Sequence, residues 1–279
     1  MKLDWTKTQR IRLLELGADA ATLARTFDNA DHRHREFQAV VKQRTSDLHR
    51  RLADLRQKFR RPRLCRLESA LADRLVSIGF VQVSTPVLMS RGLLAKMGIT
   101  ADHPLFKQIY WVETDKCLRP MLAPHLYYVI KDLLRLWEKP VGIFEVGPCF
   151  RKETQGTRHA AEFTMLNLCE FGLPANDRRL RLEGLAGLIM AAAGIHDYTL
   201  TEVPSAVYES TVDVVGKDGL ELGSGAMGPH PLDRPWRITE PWVGIGFGLE
   251  RMLMAAQGGG HLARFGRSIT YLDGVRLNI

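Results

Sequence analysis

Two apolar runs frame residues 143–171. Ile143-Phe144-Glu145-Val146-Gly147-Pro148-Cys149-Phe150 leads into the polar, glycine-bearing stretch RKETQGTRHAAE, and the chain returns as Phe163-Thr164-Met165-Leu166-Asn167-Leu168-Cys169. Runs of this length joined in this way predict an antiparallel hairpin. Side chains alternate faces along a strand. Cys149, Arg151 and Glu153 therefore share one face of the outgoing strand, and Phe163, Met165, Asn167 and Cys169 share one face of the return. In an even register both sets look the same way. A face bearing a guanidinium, a carboxylate, an aromatic ring and a primary amide makes a poor core and a good ligand surface. The plainer alternative is an Arg151–Glu153 ion pair at the sheet edge with Asn167 in solvent. It fits badly with Asn167 lying between Leu166 and Leu168, because a buried amide needs a partner.

The segments on either side set the fold class. From Asp31 to Arg63, eleven Lys/Arg stand against four Asp/Glu, and Phe37, Val41, Leu48, Leu52, Leu55 and Phe59 recur at helical spacing. This predicts a long basic amphipathic helix, whose charged face is either solvated or turned towards phosphate. Pro62 breaks it. A second helix is expected over 64–78, ending at Gly79. A strand over 80–88 carries Pro86, which argues for an edge or interface position. Residues 108–113 and 117–122 read as a strand pair, 124–137 as a helix with Pro124 in its first turn, and 177–194 as another helix. Strands are expected near 198–203, 209–215 and 219–223, and 242–256 reads as strand, glycine-rich turn and helix. Hairpins dominate and helices flank them, so the fold class is α+β. A basic helical segment, 1–63, precedes a domain over 64–279.

With 279 residues, 45% of them hydrophobic, the chain can bury a full core. A net charge of +8 and a pI of about 9.5 are compatible with a polyanionic partner. Cys65, Cys117, Cys149 and Cys169 show no CxxC spacing and read as buried thiols of a reducing compartment. The N-terminal stretch lacks the apolar run of a signal peptide, and the longest apolar run, LAGLIMAAAGI at 185–195, is too short to span a bilayer. A cytoplasmic protein without membrane association is the expectation.

Two further stretches carry chemistry. In GIGFGLER, Gly244, Gly246 and Gly248 alternate along a strand and strip one sheet face, so a flat ligand could lie against the backbone. The spacing is not G-x-G-x-x-G and no βαβ unit surrounds it, which disfavours a dinucleotide fingerprint. In GLELGSGAMG, Glu221 and Ser224 are hard oxygen ligands of the kind Mg²⁺ accepts beside phosphate oxygens, although alone the stretch reads as a surface turn.

Taken in order, a strand carrying Pro86, then F-R-x-E with its loop and returning Phe, then G-x-G-x-G-x-E-R resemble motifs 1, 2 and 3 of the class II aminoacyl-tRNA synthetases. LFKQIYWV, CLRPMLAP, FRKE…EFTMLNLC, VYESTVDV and PWVGIGFGLER resemble the pyrrolysyl-tRNA synthetases within that class, from about residue 64 to the terminal YLDGVRLNI. The chain is similar to the stand-alone catalytic type, without a separate N-terminal tRNA-binding domain. The resemblance implies the class II fold, an antiparallel sheet flanked by helices. It also implies an enzyme that activates pyrrolysine with ATP to an aminoacyl-adenylate and transfers it to the 3′-terminal adenosine of its tRNA.

By the same resemblance Arg151 contacts the α-phosphate of ATP and the amino-acid carboxylate, a role suited to a planar, permanently charged fork. Glu153 accepts from the adenine amino group, Phe163 stacks on the ring, and His159 approaches the β- and γ-phosphates. Arg251 holds the γ-phosphate, Glu221 and Ser224 ligate Mg²⁺, and Gly244 and Gly246 let substrate reach the sheet. Catalysis then rests on Arg151 and Arg251, through positioning and electrostatics without a protein nucleophile. The implied amino-acid pocket is Ala123, Leu126, Tyr127, Ile130, Cys169, Ala226 and Trp242, with Asn167 as polar anchor and Tyr208 as cap. An apolar cave suits the ring of pyrrolysine, and a buried amide suits its carbonyl. There are departures from the family pattern. His125 stands where asparagine is usual, Ala160-Ala161 replace Leu-Glu, and Ala226 is smaller than the usual valine. A homodimer formed near 64–88 is implied, with tRNA contacted by 1–63. Two alternatives stay open: a class II-like ligase activating another lysine-type amino acid for a non-tRNA acceptor, and a non-catalytic tRNA-binding paralogue.

Overall fold

A computed structural model of the protein describes residues 2–152, 160–205, 207–257 and 261–278. The chain divides into two compact units, Met1–Arg63 with Ala263–Ile279, and Leu64–Leu262. Among the described residues no helix is long and apolar enough to cross a membrane.

In the first unit α1 (Lys7–Glu15) opens on a capping box between Thr6 and Gln9. Asp19 caps α2 (Ala20–Leu23) and Asn29 caps α3 (Ala30–Asp54), which runs on as a π-helical turn, Leu55–Phe59. The apolar stripe of α3 is used in two places. Phe37 and Val41 pack on Trp5, Leu13 and Phe27, and Leu48 packs with Leu16 and Val275. Val275 sits in a short hairpin, Tyr271–Leu272 with Val275–Arg276. At its turn, the Asp273 carboxylate accepts from the backbone N–H of Arg63 at 2.8 Å and from its Nε at 2.9 Å. The sequence pattern alone carries the second domain through to residue 279. The structure groups Ala263–Ile279 with the N-terminal helices, because Val275 completes their core.

In the second unit α4 (Arg63–Val76) buries Leu64, Leu67, Leu71 and Leu75. There follow β1 (Val81–Gln82), β2 (Leu88–Ser90), α5 (Arg91–Lys96), β3 (Lys116–Leu118), α6 (Ala123–Leu136), β4 (Val141–Phe150), β5 (Glu162–Phe171) and α7 (Arg178–Ala192). β6 (Tyr198–Ser205), β7 (Glu209–Gly216), β8 (Glu221–Gly228), β9 (Trp242–Gly248) and α8 (Leu249–Ala256) complete it. Seven strands form one sheet in the order β1-β4-β5-β9-β8-β7-β6. Only β1 runs parallel to its neighbour. The α+β class with an antiparallel sheet holds.

Three local expectations change. The strand expected over 80–88 is two strands in different sheets, β1 beside β4 and β2 beside β3. Residues 108–113 and 117–122 share only one bridge, Trp111 to Cys117, because Lys116–Leu118 pairs instead with Leu88–Ser90. Most of the stretch 219–228 is an inner strand, Glu221–Gly228, rather than a surface turn, hydrogen-bonded to both β7 and β9. The hairpin has the even register, with Cys149 opposite Phe163, Gly147 opposite Met165, Glu145 opposite Asn167 and Ile143 opposite Cys169.

Candidate active site

A cavity of about 500 Å³ is lined by alternate residues of β5 and β9, by β8, by the first turns of α6, by His103, Pro104, Leu105 and Gln108, and by Ser205, Val207 and Tyr208. Gly244, Gly246 and Gly248 of β9 all face it. A Cβ on Gly246 would stand 3.1 Å from the Met165 Cε, tighter than ordinary carbon contact. The floor between β5 and β8 is therefore bare backbone, as the alternation of glycines requires.

One end of the cavity is polar. Arg151 follows β4, its Nε donates to the Pro120 carbonyl at 2.9 Å, and its guanidinium lies over the Phe163 ring, 5.2 Å from the centroid. Arg251 enters from α8 and donates to the Glu221 carbonyl at 3.2 Å, with the Glu221 carboxylate 3.7 Å away. Burial raises the Glu221 pKa, Arg251 pulls it back, and Asp213 adds to the rise. Ser224 Oγ donates to Asp213 at 2.6 Å, so a second carboxylate stands beside the expected pair. The alternation within the STVDV stretch was the signal for Asp213. Phe163, Glu221, Ser224, Gly246, Arg151 and Arg251 thus line one cavity. Glu153 and His159 lie outside the described residues.

The other end is apolar. Ala123, Leu126, Tyr127, Cys169, Tyr208, Ala226, Trp242 and Gly244 line it, while Ile130 is buried in the same core cluster but off the cavity wall. Asn167 is anchored through Nδ2, which donates to the Ile245 carbonyl at 2.9 Å and makes only a long contact, 3.5 Å, with the Leu168 carbonyl. That answers the buried-amide problem of the sequence and leaves Oδ1 as an acceptor beside the cavity. Burial pushes the Cys149 thiol up to about 12 and the Cys169 thiol higher still. Neither is a thiolate nucleophile.

A buried polar network lies next to this face. Arg119 and Glu145, each 2% exposed, pair at 2.7 Å. Thr85 Oγ1 donates to Glu145 Oε2 at 2.6 Å, and His125 Nδ1 stands 3.2 Å from the same hydroxyl. Arg119 also donates from Nε to the Pro148 carbonyl at 2.8 Å. The carboxylate amid the apolar run Ile143-Phe144-Glu145-Val146 was the sequence signal for it. A Cβ on Gly147 would come within 2.2 Å of an Arg119 nitrogen, so a side chain there would have to push the buried guanidinium aside.

No family profile matches the chain. Among solved structures, a pyrrolysyl-tRNA synthetase from Desulfitobacterium hafniense is 51% identical with a TM-score of 0.91, covering 99% of this chain and 96% of that one. A crystal structure of pyrrolysyl-tRNA synthetase from the same organism is 52% identical with a TM-score of 0.95, covering 100% of both. The chain belongs to the pyrrolysyl-tRNA synthetase family. Curated lysine–tRNA ligases match in part. That of Lysinibacillus sphaericus is 28% identical over 166 residues, 59% of this chain and 28% of that protein. That of Listeria welshimeri is 38% identical over 96 residues, 34% and 17% respectively. The chain thus spans less than a third of the length of the curated relatives it matches. Membership of the pyrrolysyl-tRNA synthetase family accords with the class II sheet and its glycine-floored cavity.

Proposed function

We propose that the protein activates a pyrrolysine-type lysine derivative with ATP and transfers it to the 3′-terminal adenosine of a tRNA, as a cytoplasmic enzyme. The observation that carries this reading is one cavity with two chemically unlike ends on a shared glycine floor. In this reading adenine rests on Phe163, and Glu153 and His159 contact adenine and the outer phosphates. Arg151 bridges the amino-acid carboxylate and the α-phosphate, and Arg251 holds the γ-phosphate. The carboxylate attacks α-phosphorus and pyrophosphate leaves. The charge shifting between phosphate oxygens is met by two fixed guanidiniums.

Mg²⁺ fits the polar end. It is usually held by one or two carboxylates together with substrate phosphates. Glu221 and Ser224, with Asp213 bonded to Ser224, offer that incomplete shell. Among the described residues no group of three or more His, Cys, Asp or Glu makes a self-sufficient cage. When bound, the ion would neutralise phosphate charge.

At the apolar end Asn167 addresses the acyl carbonyl while Leu126, Cys169, Ala226 and Trp242 surround the ring. Free lysine would put an ammonium among those same walls, at a large desolvation cost. Pairing of two copies is assigned to the α4–β2 stretch, where Val76, Val81 and Leu88 are exposed, and tRNA contact to the basic first unit.

Pyrophosphate exchange into ATP tests the reading, comparing pyrrolysine or a carbamate-linked lysine with the twenty standard amino acids. Exchange with lysine derivatives alone is expected. Exchange with lysine alone would move the substrate, and none at all would favour a tRNA-binding paralogue. Asn167→Ala should raise the KM for the lysine derivative far more than that for ATP. Equal rises would take Asn167 out of the pocket.

A further inference from the structure

We infer that Asp233 is a positioning residue for amino-acid specificity, which fixes Tyr127 and Trp242, two of the aromatic side chains walling the apolar end of the cavity, and, through them, the seat of Tyr208. The inference deepens the function proposed above and rests on it.

Asp233 is buried in the 3-10 turn Pro231–Trp236. Its carboxylate gathers donors from three parts of the chain. The Tyr127 hydroxyl of α6 donates to Oδ1 at 3.0 Å, the Trp242 indole of β9 to Oδ2 at 2.8 Å, and the His230 backbone N–H to Oδ2 at 2.6 Å. The Tyr127 and Trp242 rings cross edge to face, 5.7 Å apart. Their mutual angle is thus set by bonds to opposite oxygens of one carboxylate. The Tyr208 ring packs edge-on against Trp242 at 6.1 Å and against His230 at 5.8 Å. Trp242 and His230, both held by Asp233, are thus among the groups that Tyr208 leans on.

The chemistry demands a carboxylate rather than any polar residue of that size. All three partners donate, and an ionised carboxylate only accepts. An amide in its place would turn an NH₂ against a donor. The groups of the polar end hang on other bonds, Arg151 on the Pro120 carbonyl and Arg251 on Glu221. Loosening Asp233 should accordingly be felt by the amino acid and not by ATP.

The test is Asp233→Asn in the full chain, read by pyrophosphate exchange with Nε-tert-butoxycarbonyl-lysine and Nε-acetyl-lysine. The KM for the bulky carbamate should rise about tenfold or more, and preference for it over the small acetyl derivative should fall. The KM for ATP and kcat at saturation should stay within about twofold of wild type. A parallel rise in both KM values, or a fall in kcat alone, would overturn the assignment. The wild-type chain gives a second reading that needs no variant to fold. With ¹⁵N-tryptophan labelling, the Trp242 indole N–H should be slow to exchange with solvent, and a fast-exchanging one would also overturn it. A protected indole in a wild type that activates no lysine derivative would instead defeat the proposed function, and the specificity role with it.

Discussion

Arg151 is aimed before any substrate arrives. Its Nε bond to the Pro120 carbonyl and its seat over Phe163 fix the plane of the guanidinium, which is what a bidentate contact with carboxylate and phosphate needs. Arg151→Lys keeps the charge and loses the fork. Exchange should slow by about 10²–10³-fold with little change in melting temperature, and a near-wild-type rate would remove Arg151 from the reacting atoms. His125 makes a different prediction. Burial depresses its pKa below the ordinary 6.5, Arg119 adds to the depression, and Glu145 opposes it. The folded chain then binds this proton more weakly than the unfolded chain. The corresponding stability is complete above pH 6.5 and is lost as pH falls through that value. His125→Asn should flatten the fall in melting temperature between about pH 7 and pH 5; an unchanged profile would show that His125 does not titrate there. Arg151 and Asn167 were legible in the sequence because each interrupts a pattern, a strand end and an apolar run. Asp233 was not. Its meaning comes from Tyr127 and Trp242, which lie 106 and 9 positions away along the chain.

The hairpin β4–β5 does two jobs at the level of elements. Its cavity face carries Phe163, Met165, Asn167 and Cys169, and β4 supplies Glu145 to the buried network. Removing one partner of a buried pair strands the other charge away from water. Glu145→Ala should therefore cost about 3–5 kcal/mol in denaturant unfolding, because Arg119 would keep its charge in a site built for a carboxylate. A loss below about 1 kcal/mol would mean that Arg119 reaches solvent instead. The hairpin's register stayed open in the sequence, but which side chains share a face of each strand, and the bare face of the glycine strand, could be read from the period-two alternation alone. The stretch 80–90 could not. Its apolar residues suit a strand, but which strand each half joins depends on β4 and β3, and the sequence around Thr85-Pro86 does not say that the chain changes sheets there. Residues 117–122 were legible only in part for the same reason: they keep one bridge across the nearest turn, Trp111 to Cys117, but their ladder is with Leu88–Ser90.

At the scale of the molecule, binding and chemistry are assigned to separate compact units. The basic α3 belongs to one and the cavity to the other. Asp273, which ties Arg63 to the C-terminal hairpin, lies in the first. Asp273→Ala should lower charging of tRNA and leave pyrophosphate exchange within about twofold of wild type. A matching loss of exchange would show that the first unit supports the adenylate site. If Lys and Arg of α3 meet phosphates, charging should also weaken steeply as salt is raised. The long basic helix, 30–59, was plain from its spacing, but its need for Val275 was not, because a contact across more than 200 positions leaves no periodic trace. That contact has a consequence for the order in which the molecule is made. Residues 2–63 leave the ribosome before the cavity-bearing unit, yet Val275 and Asp273 are added only after that whole unit has been synthesised. The first unit therefore closes its core late, and chains released before residue 273 carry a catalytic sheet with an unfinished basic unit. On the proposed reading, premature products could form adenylate without competing for tRNA.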